Sequence, residues 1–301
     1  MTARPETWKR LATEGVHPRS RRLDRLGPAG VVALMQSEDR RVVSALQSAR
    51  GPIVRAAKIL RDAYASGARC VLFGAGTSGR LAVIEAAELP PTFGTDPSRV
   101  RAVIAGGPRA VFRAKEGAED REDEGARGAS RLRPGDVAIG VSASSVTAFV
   151  RGALARAKER GAHTVLVTAS AAARDAADVV IRLAVGSEVL AGSTRLKAGT
   201  ATKLALNQIT TAAFASSGRV YGPWMVDLRA GSAKLKDRAR RIVAAACETT
   251  PSRATALLTR SGGEVKTAIL MGRRRIPAAQ ARRRLERSEG DLRAALGEER
   301  P

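Results

Sequence analysis

At 301 residues the chain is long enough for one large domain or two modest ones, and with 44% apolar but only 3% aromatic residues its core must be built from Ala, Val, Leu and Ile. No run of about eighteen uninterrupted apolar residues occurs and MTARPETWKR has no apolar signal core, so neither a membrane span nor classical secretion is expected. The net charge of +23 raises nucleic acid as a partner, but basic residues are scattered among Ala, Asp and Glu, no zinc-finger spacing occurs, and aromatics are too rare for a base-stacking platform, so nucleic acid is not the expected partner. Charge concentrates only in GRRRIPAAQARRRLER, at Arg273 to Arg275 and Arg282 to Arg284. Cys70 and Cys247 are too few for a disulfide framework and fit a reducing, cytoplasmic setting.

In chain order, residues 1 to about 67 read as helical, with a break at Gly51-Pro52. Short apolar runs then alternate with helical stretches. The runs are Cys70 to Phe73, Val100 to Ala105, Val137 to Val141, Thr164 to Thr168 and Val179 to Leu183; between them lie Leu81 to Glu88, Arg109 to Arg127, Thr147 to Arg160 and Ala171 to Ala176. Strand and helix alternating at this spacing predict an α/β fold, a doubly wound parallel sheet with helices on both faces. Beyond Gly192 the pattern turns helical over Lys197 to Ser217 and Ser232 to Thr249, and Pro251 opens a small unit of three short helices, Ala254 to Thr259, Val265 to Met271 and Ala278 to Arg287. The domains expected are a helical segment 1–59, a ligand-binding domain 60–223 and a helical region 224–301.

CVLFGAGTSGR, Cys70 to Arg80, is the leading candidate site. A strand runs into a glycine-rich turn whose amides, with the hydroxyls of Thr77 and Ser78, suit a phosphate monoester at a helix N-terminus. Gly74 to Gly79 also satisfies the dinucleotide pattern GxGxxG, a weak signal alone, and no acidic residue follows cleanly at a second strand end. Two further hydroxyl-rich stretches, Gly140 to Phe149 with Ser142, Ser144 and Thr147, and Gly192 to Thr200 with Ser193, Thr194, Arg195 and Lys197, read either as anion nests or as helix caps and surface charge. Carboxylates are scattered. Glu88 sits among Ala86, Ala87 and Leu89 before Pro90-Pro91, where a helix is expected to end; Glu116 and Glu119, three apart, share one helix face. Spacing alone does not choose among them. His17 and His163 are too isolated for a triad or metal site.

FGAGTSGRL, EAAELPPTFG, AVIAGG, EGAED, GSTRLKAGTATKLALN, GRVYG and MVD, in this order and preceded by TEGVHPRSRRLDRL, resemble the N-acetylmuramic acid 6-phosphate etherase family, of the sugar isomerase (SIS) fold and related to glucokinase regulatory protein. The resemblance covers nearly the whole chain. It implies cleavage of the lactyl ether of a phosphorylated amino sugar, giving D-lactate and N-acetylglucosamine 6-phosphate, without metal or redox cofactor, in a homodimer whose sites are completed across the interface. It implies Glu88 as proton donor to lactate, Glu119 as the C2 base, and Gly76, Thr77, Ser78, Gly79, Arg80, Ser142, Ser144, Thr147, Ser193, Thr194 and Lys197 as substrate contacts. A non-catalytic sugar-phosphate sensor on the same fold is the alternative, and an aldose–ketose isomerase a weaker one. The chain departs from the family pattern where ASGRTP becomes Ala143-Ser144-Ser145-Val146-Thr147-Ala148, where arginine–asparagine before proline becomes Val16-His17, where Asn-Leu before MVD becomes Pro223-Trp224, and where a Thr-Asn pair becomes Gly231-Ser232. Losing the arginine removes a bidentate contact for carboxylate or phosphate.

Overall fold

A computed structural model describes residues 11–171, 173, 177–228 and 231–298. The elements are α1 (Gly27–Ser48), α2 (Arg50–Ala65), β1 (Cys70–Gly74), α3 (Gly76–Phe93), β2 (Val100–Ile104), α4 (Glu122–Ala129), β3 (Val137–Val141), α5 (Ala148–Glu159), β4 (His163–Thr168), β5 (Val179–Arg182), α6 (Lys197–Ala215), a ribbon of β6 (Val220–Tyr221) and β7 (Trp224–Met225), and then α7 (Ala233–Ala246), α8 (Pro251–Arg260), α9 (Val265–Arg274), α10 (Ala278–Arg287) and α11 (Leu292–Leu296). By packing, the described residues divide into one unit up to Ala87 with Pro97–Thr210, and a second of Glu88–Asp96 with the residues from Thr211 on. The division falls at 210 rather than at the expected 223, and the N-terminal helices belong to the first unit rather than to a segment of their own.

In the first unit five strands form an all-parallel sheet in the order β2-β1-β3-β4-β5. This is the expected doubly wound arrangement. β1 and β3 are buried at every residue, which is why their sequences are continuous apolar runs rather than alternating ones. Side chains leave a strand alternately to its two faces. Val71, Phe73, Ala138, Leu166 and Val180 pack with Phe149, Val150, Ala153 and Leu154 of α5 in one core layer. The other face is covered by α2, which packs on β1, β3 and β5. Its buried Ile53, Ala56, Ala57, Leu60, Ala63 and Tyr64 recur at helical spacing, and burying a side chain the size of Leu60 contributes about 1.5–3 kcal/mol.

Three expectations change. The first break lies at Ala49, so Gly51-Pro52 falls in the opening turn of α2, where a proline lacks no bond the helix needs. The helix before Pro90-Pro91 does not stop there: α3 runs through both prolines to Phe93 and ends at Gly94, φ +61°, whose amide donates to the Pro90 carbonyl. Thr92 Oγ1 donates to the Glu88 carbonyl at 2.8 Å, adding a local bond where the proline rings remove amide donors. No continuous helix spans 109–127. The stretch is broken into 3-10 turns Pro108–Val111 and Ala118–Asp120, the second entered from Gly117 at φ +71°, followed by the short α4, so Glu116 and Glu119 do not share a helix face. The expected helix at 171–176 lies largely outside the described residues.

The second unit is helical around Ile242, Val243, Leu257, Val265, Ile269, Leu270, Leu292 and Leu296, with α9 at its centre; the three short helices expected are present, and α11 is a fourth. Phe93 and Phe214 pack in this unit with ring centroids 5.3 Å apart. Among the described residues no helix is long and apolar enough to cross a membrane.

Candidate active site

In the order β2-β1-β3, the connections leaving β1 and β3 diverge, and a crevice opens beyond their carboxyl ends. A cleft of about 330 Å³ occupies that position, lined entirely by first-unit residues, Thr77, Ser78, Glu119, Thr147, Glu14 and Thr194 among them. The second unit contains a larger groove of about 980 Å³ walled by Val226, Leu228, Leu258, Val265 and Leu285 with the Gly262-Gly263 turn, but none of the five parallel strands belongs to that unit. The smaller cleft is the one at the strand ends, where an open parallel sheet binds ligands.

Its floor is the turn from β1 into α3. A Cβ on Gly74 would lie 2.7 Å from the Gly79 amide nitrogen, and one on Gly79 would lie 2.5 Å from Ile104 Cγ1 and 2.7 Å from the Gly74 carbonyl oxygen, so strand and helix cross at a distance only glycine allows. The Gly79 amide donates to the Ala75 carbonyl. Gly76, Thr77 and Ser78 lead the helix and carry the amides a helix leaves without internal partners. With the Thr77 and Ser78 hydroxyls, which have no partner among the described residues, they turn free hydrogen-bond donors toward the cleft at the positive end of α3, an arrangement suited to an anion. Arg80 Nε donates to the Val111 carbonyl at 2.8 Å and ties the start of α3 to the turn after β2. That turn brings Lys115, Glu116 and Glu119, all exposed, to the cleft.

The turn after β3 supplies Ser144 and Thr147. Ser142 is buried, its hydroxyl 2.8 Å from Thr147 Oγ1, and it does not line the cleft. The 192–200 stretch divides. Gly192 and Thr194 line the cleft, whereas Ser193 does not. The start of α6 is already occupied by an internal anion: Glu188, fully buried, accepts from the Ala198 amide at 2.8 Å and the Lys197 amide at 3.2 Å. Burial pushes the Glu188 carboxyl up in pKa, against the opposing pull of those two amides. Lys197 is likewise turned inward. Its ammonium, 2% exposed as a residue, donates to Glu38 Oε2 at 2.9 Å and to the Ser187 carbonyl at 2.7 Å, so its place is an internal ion pair and not the cleft wall.

Glu38 also meets His17 Nε2 at 3.2 Å and Arg41 Nε at 2.9 Å. Because His17 Nδ1 accepts from the Arg19 amide, the ring proton sits on Nε2, the nitrogen that faces Glu38. Burial alone would raise the Glu38 carboxyl; the Lys197 bond and charge, with His17 and Arg41, hold it below its ordinary pKa. A further buried carboxylate, Glu85, accepts from Lys203 at 2.6 Å and Thr210 at 2.6 Å. Neither group was found from the sequence, since partners 118 to 159 residues apart leave no local pattern. Glu88 is exposed and belongs to the second unit, while its neighbours Ala86 and Leu89 turn inward.

Residues 53–158 match the family model of the glucokinase regulatory protein N-terminal SIS domain. The N-acetylmuramic acid 6-phosphate etherase of Rubrobacter xylanophilus is 46% identical over 96% of this chain and 97% of its own length. That of Geobacillus thermodenitrificans is 43% identical over 95% and 98%. The chain belongs to the N-acetylmuramic acid 6-phosphate etherase family. Among solved structures, a phosphoheptose isomerase from Neisseria gonorrhoeae aligns at a TM-score of 0.46 and 20% identity, over 62% of this chain and 97% of that one. Within the etherase family pattern, the ASGRTP glycine falls at Ser145. Ser145 keeps a left-handed backbone, φ +66°, which a serine adopts at a cost. Beside it the half-buried Val146 takes the place of the arginine.

Proposed function

We propose that this protein is a carbon–oxygen lyase that cleaves the D-lactyl ether of N-acetylmuramic acid 6-phosphate, giving N-acetylglucosamine 6-phosphate and D-lactate in amino-sugar recycling. The observation that carries the reading is Glu119 lining one cleft with an anion cradle, in a chain 46% identical to an etherase over nearly its whole length. In this reading Gly76, Thr77 and Ser78 hold the 6-phosphate. Glu119 removes the C2 proton of the ring-opened aldehyde, the C3–O bond breaks as lactate departs, and Glu88 supplies the proton to its oxygen. Water then adds at C3 of the unsaturated aldehyde, restoring the C2 proton and the C3 hydroxyl. Glu88 enters through its place in EAAELPPTFG, and the expected homodimer is the assembly in which a site can be completed by a partner. The reaction belongs in the cytoplasm, where Cys70 and Cys247 remain thiols.

The test is D-lactate release from purified protein and N-acetylmuramic acid 6-phosphate. Glu88→Gln and Glu119→Gln are each expected to lower kcat by about a hundredfold to ten-thousandfold, the usual contribution of a general acid or base. Full activity in both variants would remove these assignments. The sensor reading is favoured by one observation, Val146 in place of arginine, and is selected if the wild-type chain binds the sugar phosphate yet releases no lactate.

A further inference from the structure

A third carboxylate stands in the cleft. Residues 12–15 form a 3-10 turn laid across one wall: the Glu14 amide donates to the Leu11 carbonyl at 3.0 Å, the Gly15 amide to the Ala12 carbonyl at 3.2 Å, and the Gly192 amide to the Thr13 carbonyl at 3.0 Å. Gly15 is pressed against Ser187, since a Cβ there would lie 2.8 Å from its Oγ, and two residues further on buried His17 is fixed to Glu38. The backbone under Glu14 is therefore clamped on both sides. Its carboxylate lies over Gly192, with Oε2 only 3.1 Å from where a Cβ on that glycine would be.

Glu14 is exposed, lines the cleft, and makes no ion pair or hydrogen bond among the described residues, although the chain carries a net charge of +23. Beside it Thr13 also lines the cleft, and its buried hydroxyl has no partner among the described residues. A bare carboxylate on the wall of an anion-binding cleft repels the ligand's phosphate. It favours binding only where the ligand offers it a neutral donor, and a hydrogen bond to a charged acceptor is then among the stronger ones.

We propose that Glu14 is a substrate-contacting carboxylate that accepts a hydrogen bond from a hydroxyl or amide N–H of the bound amino-sugar phosphate and so selects for the sugar rather than for its phosphate. This rests on the sugar-phosphate reading above and names the group that reads the sugar. Glu14→Gln removes the charge and keeps the shape. Gly192→Ala keeps the carboxylate but pushes it aside, and because Gly192 sits at φ +76° it also strains the backbone, so its binding is read beside its thermal midpoint.

The experiment measures affinity of wild type and both variants for N-acetylmuramic acid 6-phosphate and, separately, for inorganic phosphate, with thermal midpoints as a check on folding. For Glu14→Gln the sugar-phosphate Kd and KM rise by roughly tenfold to a hundredfold, the loss of one charge-assisted bond, while phosphate affinity holds or tightens. Gly192→Ala shifts the sugar-phosphate Kd in the same direction and leaves phosphate alone. A sugar-phosphate Kd within twofold of wild type in Glu14→Gln, or equal weakening toward both probes, overturns the proposal. Absence of lactate release by wild type sinks the etherase reading instead, and the binding comparison still decides on Glu14.

Discussion

Ser145 holds a left-handed conformation, φ +66°, at the turn where the cleft wall passes from β3 to α5. An L-residue pays about 1–2 kcal/mol there that glycine does not. The turn is nevertheless kept, because the Ser145 amide donates to the Ser142 carbonyl and the Ser142 and Thr147 hydroxyls bond each other across it. Replacing Ser145 by glycine relieves the strain but also frees the unfolded chain, so the net gain is expected to be smaller, about 0.5–1 kcal/mol. Urea denaturation of Ser145→Gly measures it. An unchanged or lowered midpoint would mean that the serine side chain contributes a contact that offsets its backbone cost.

The opening of α6 shows how an element can carry the marks of an anion site and yet be closed. Ser193, Thr194, Arg195 and Lys197 read in sequence as hydroxyls and cations at a helix start, but Glu188 and Glu38 fill the roles of anion from within the fold. Lys197→Met is expected to cost about 3–5 kcal/mol, because it leaves Glu38 buried beside His17 without its main cation. The thermal midpoint should fall by roughly 10 °C. A Lys197→Met protein with wild-type stability and a raised KM would instead return Lys197 to the ligand. The strands were legible because a parallel strand buried on both faces must be a short continuous apolar run, as in Cys70–Gly74 and Val137–Val141. The 109–127 stretch misled, since its Ala, Glu and Arg favour helix while Gly117, φ +71°, takes a conformation that ends one. The tight strand-to-helix turn at Gly74 to Gly79 was legible from glycine spacing. The inward turn of Lys197 and Glu85 was not, because burial is decided by which distant elements pack together. Choosing Glu119 among the carboxylates required the family motif, and Glu14 becomes a candidate only once the chain at 12–15 is seen lying against Gly192.

Across the molecule, buried carboxylates link the fold to pH. Asp136 is raised by burial but held below its ordinary pKa by Arg69 and the backbone amides of Arg69 and Arg133; Glu38 is held down in the same way by Lys197. A carboxylate depressed in the folded state contributes stability that is complete above its unfolded pKa and is lost as pH falls through the folded one. Stability should therefore decline below about pH 4.5 for Glu38 and 3.8 for Asp136, their ordinary values. Glu188, raised by burial, acts with opposite sign and weakens the fold as pH rises past its ordinary value. Urea midpoints taken from pH 3 to 7 should fall at the acid end, and Asp136→Asn should flatten that fall while lowering the plateau; an acid limb as steep in the variant as in wild type would remove Asp136 from the account.

The measurement that bears most directly on the whole is D-lactate release from N-acetylmuramic acid 6-phosphate by the purified wild-type protein. The cleft, its anion cradle and Glu119 predict stoichiometric appearance of D-lactate and N-acetylglucosamine 6-phosphate, with release falling at least a hundredfold in Glu119→Gln. Tight binding of the sugar phosphate with no lactate formed, under conditions in which a family relative is active, would contradict it.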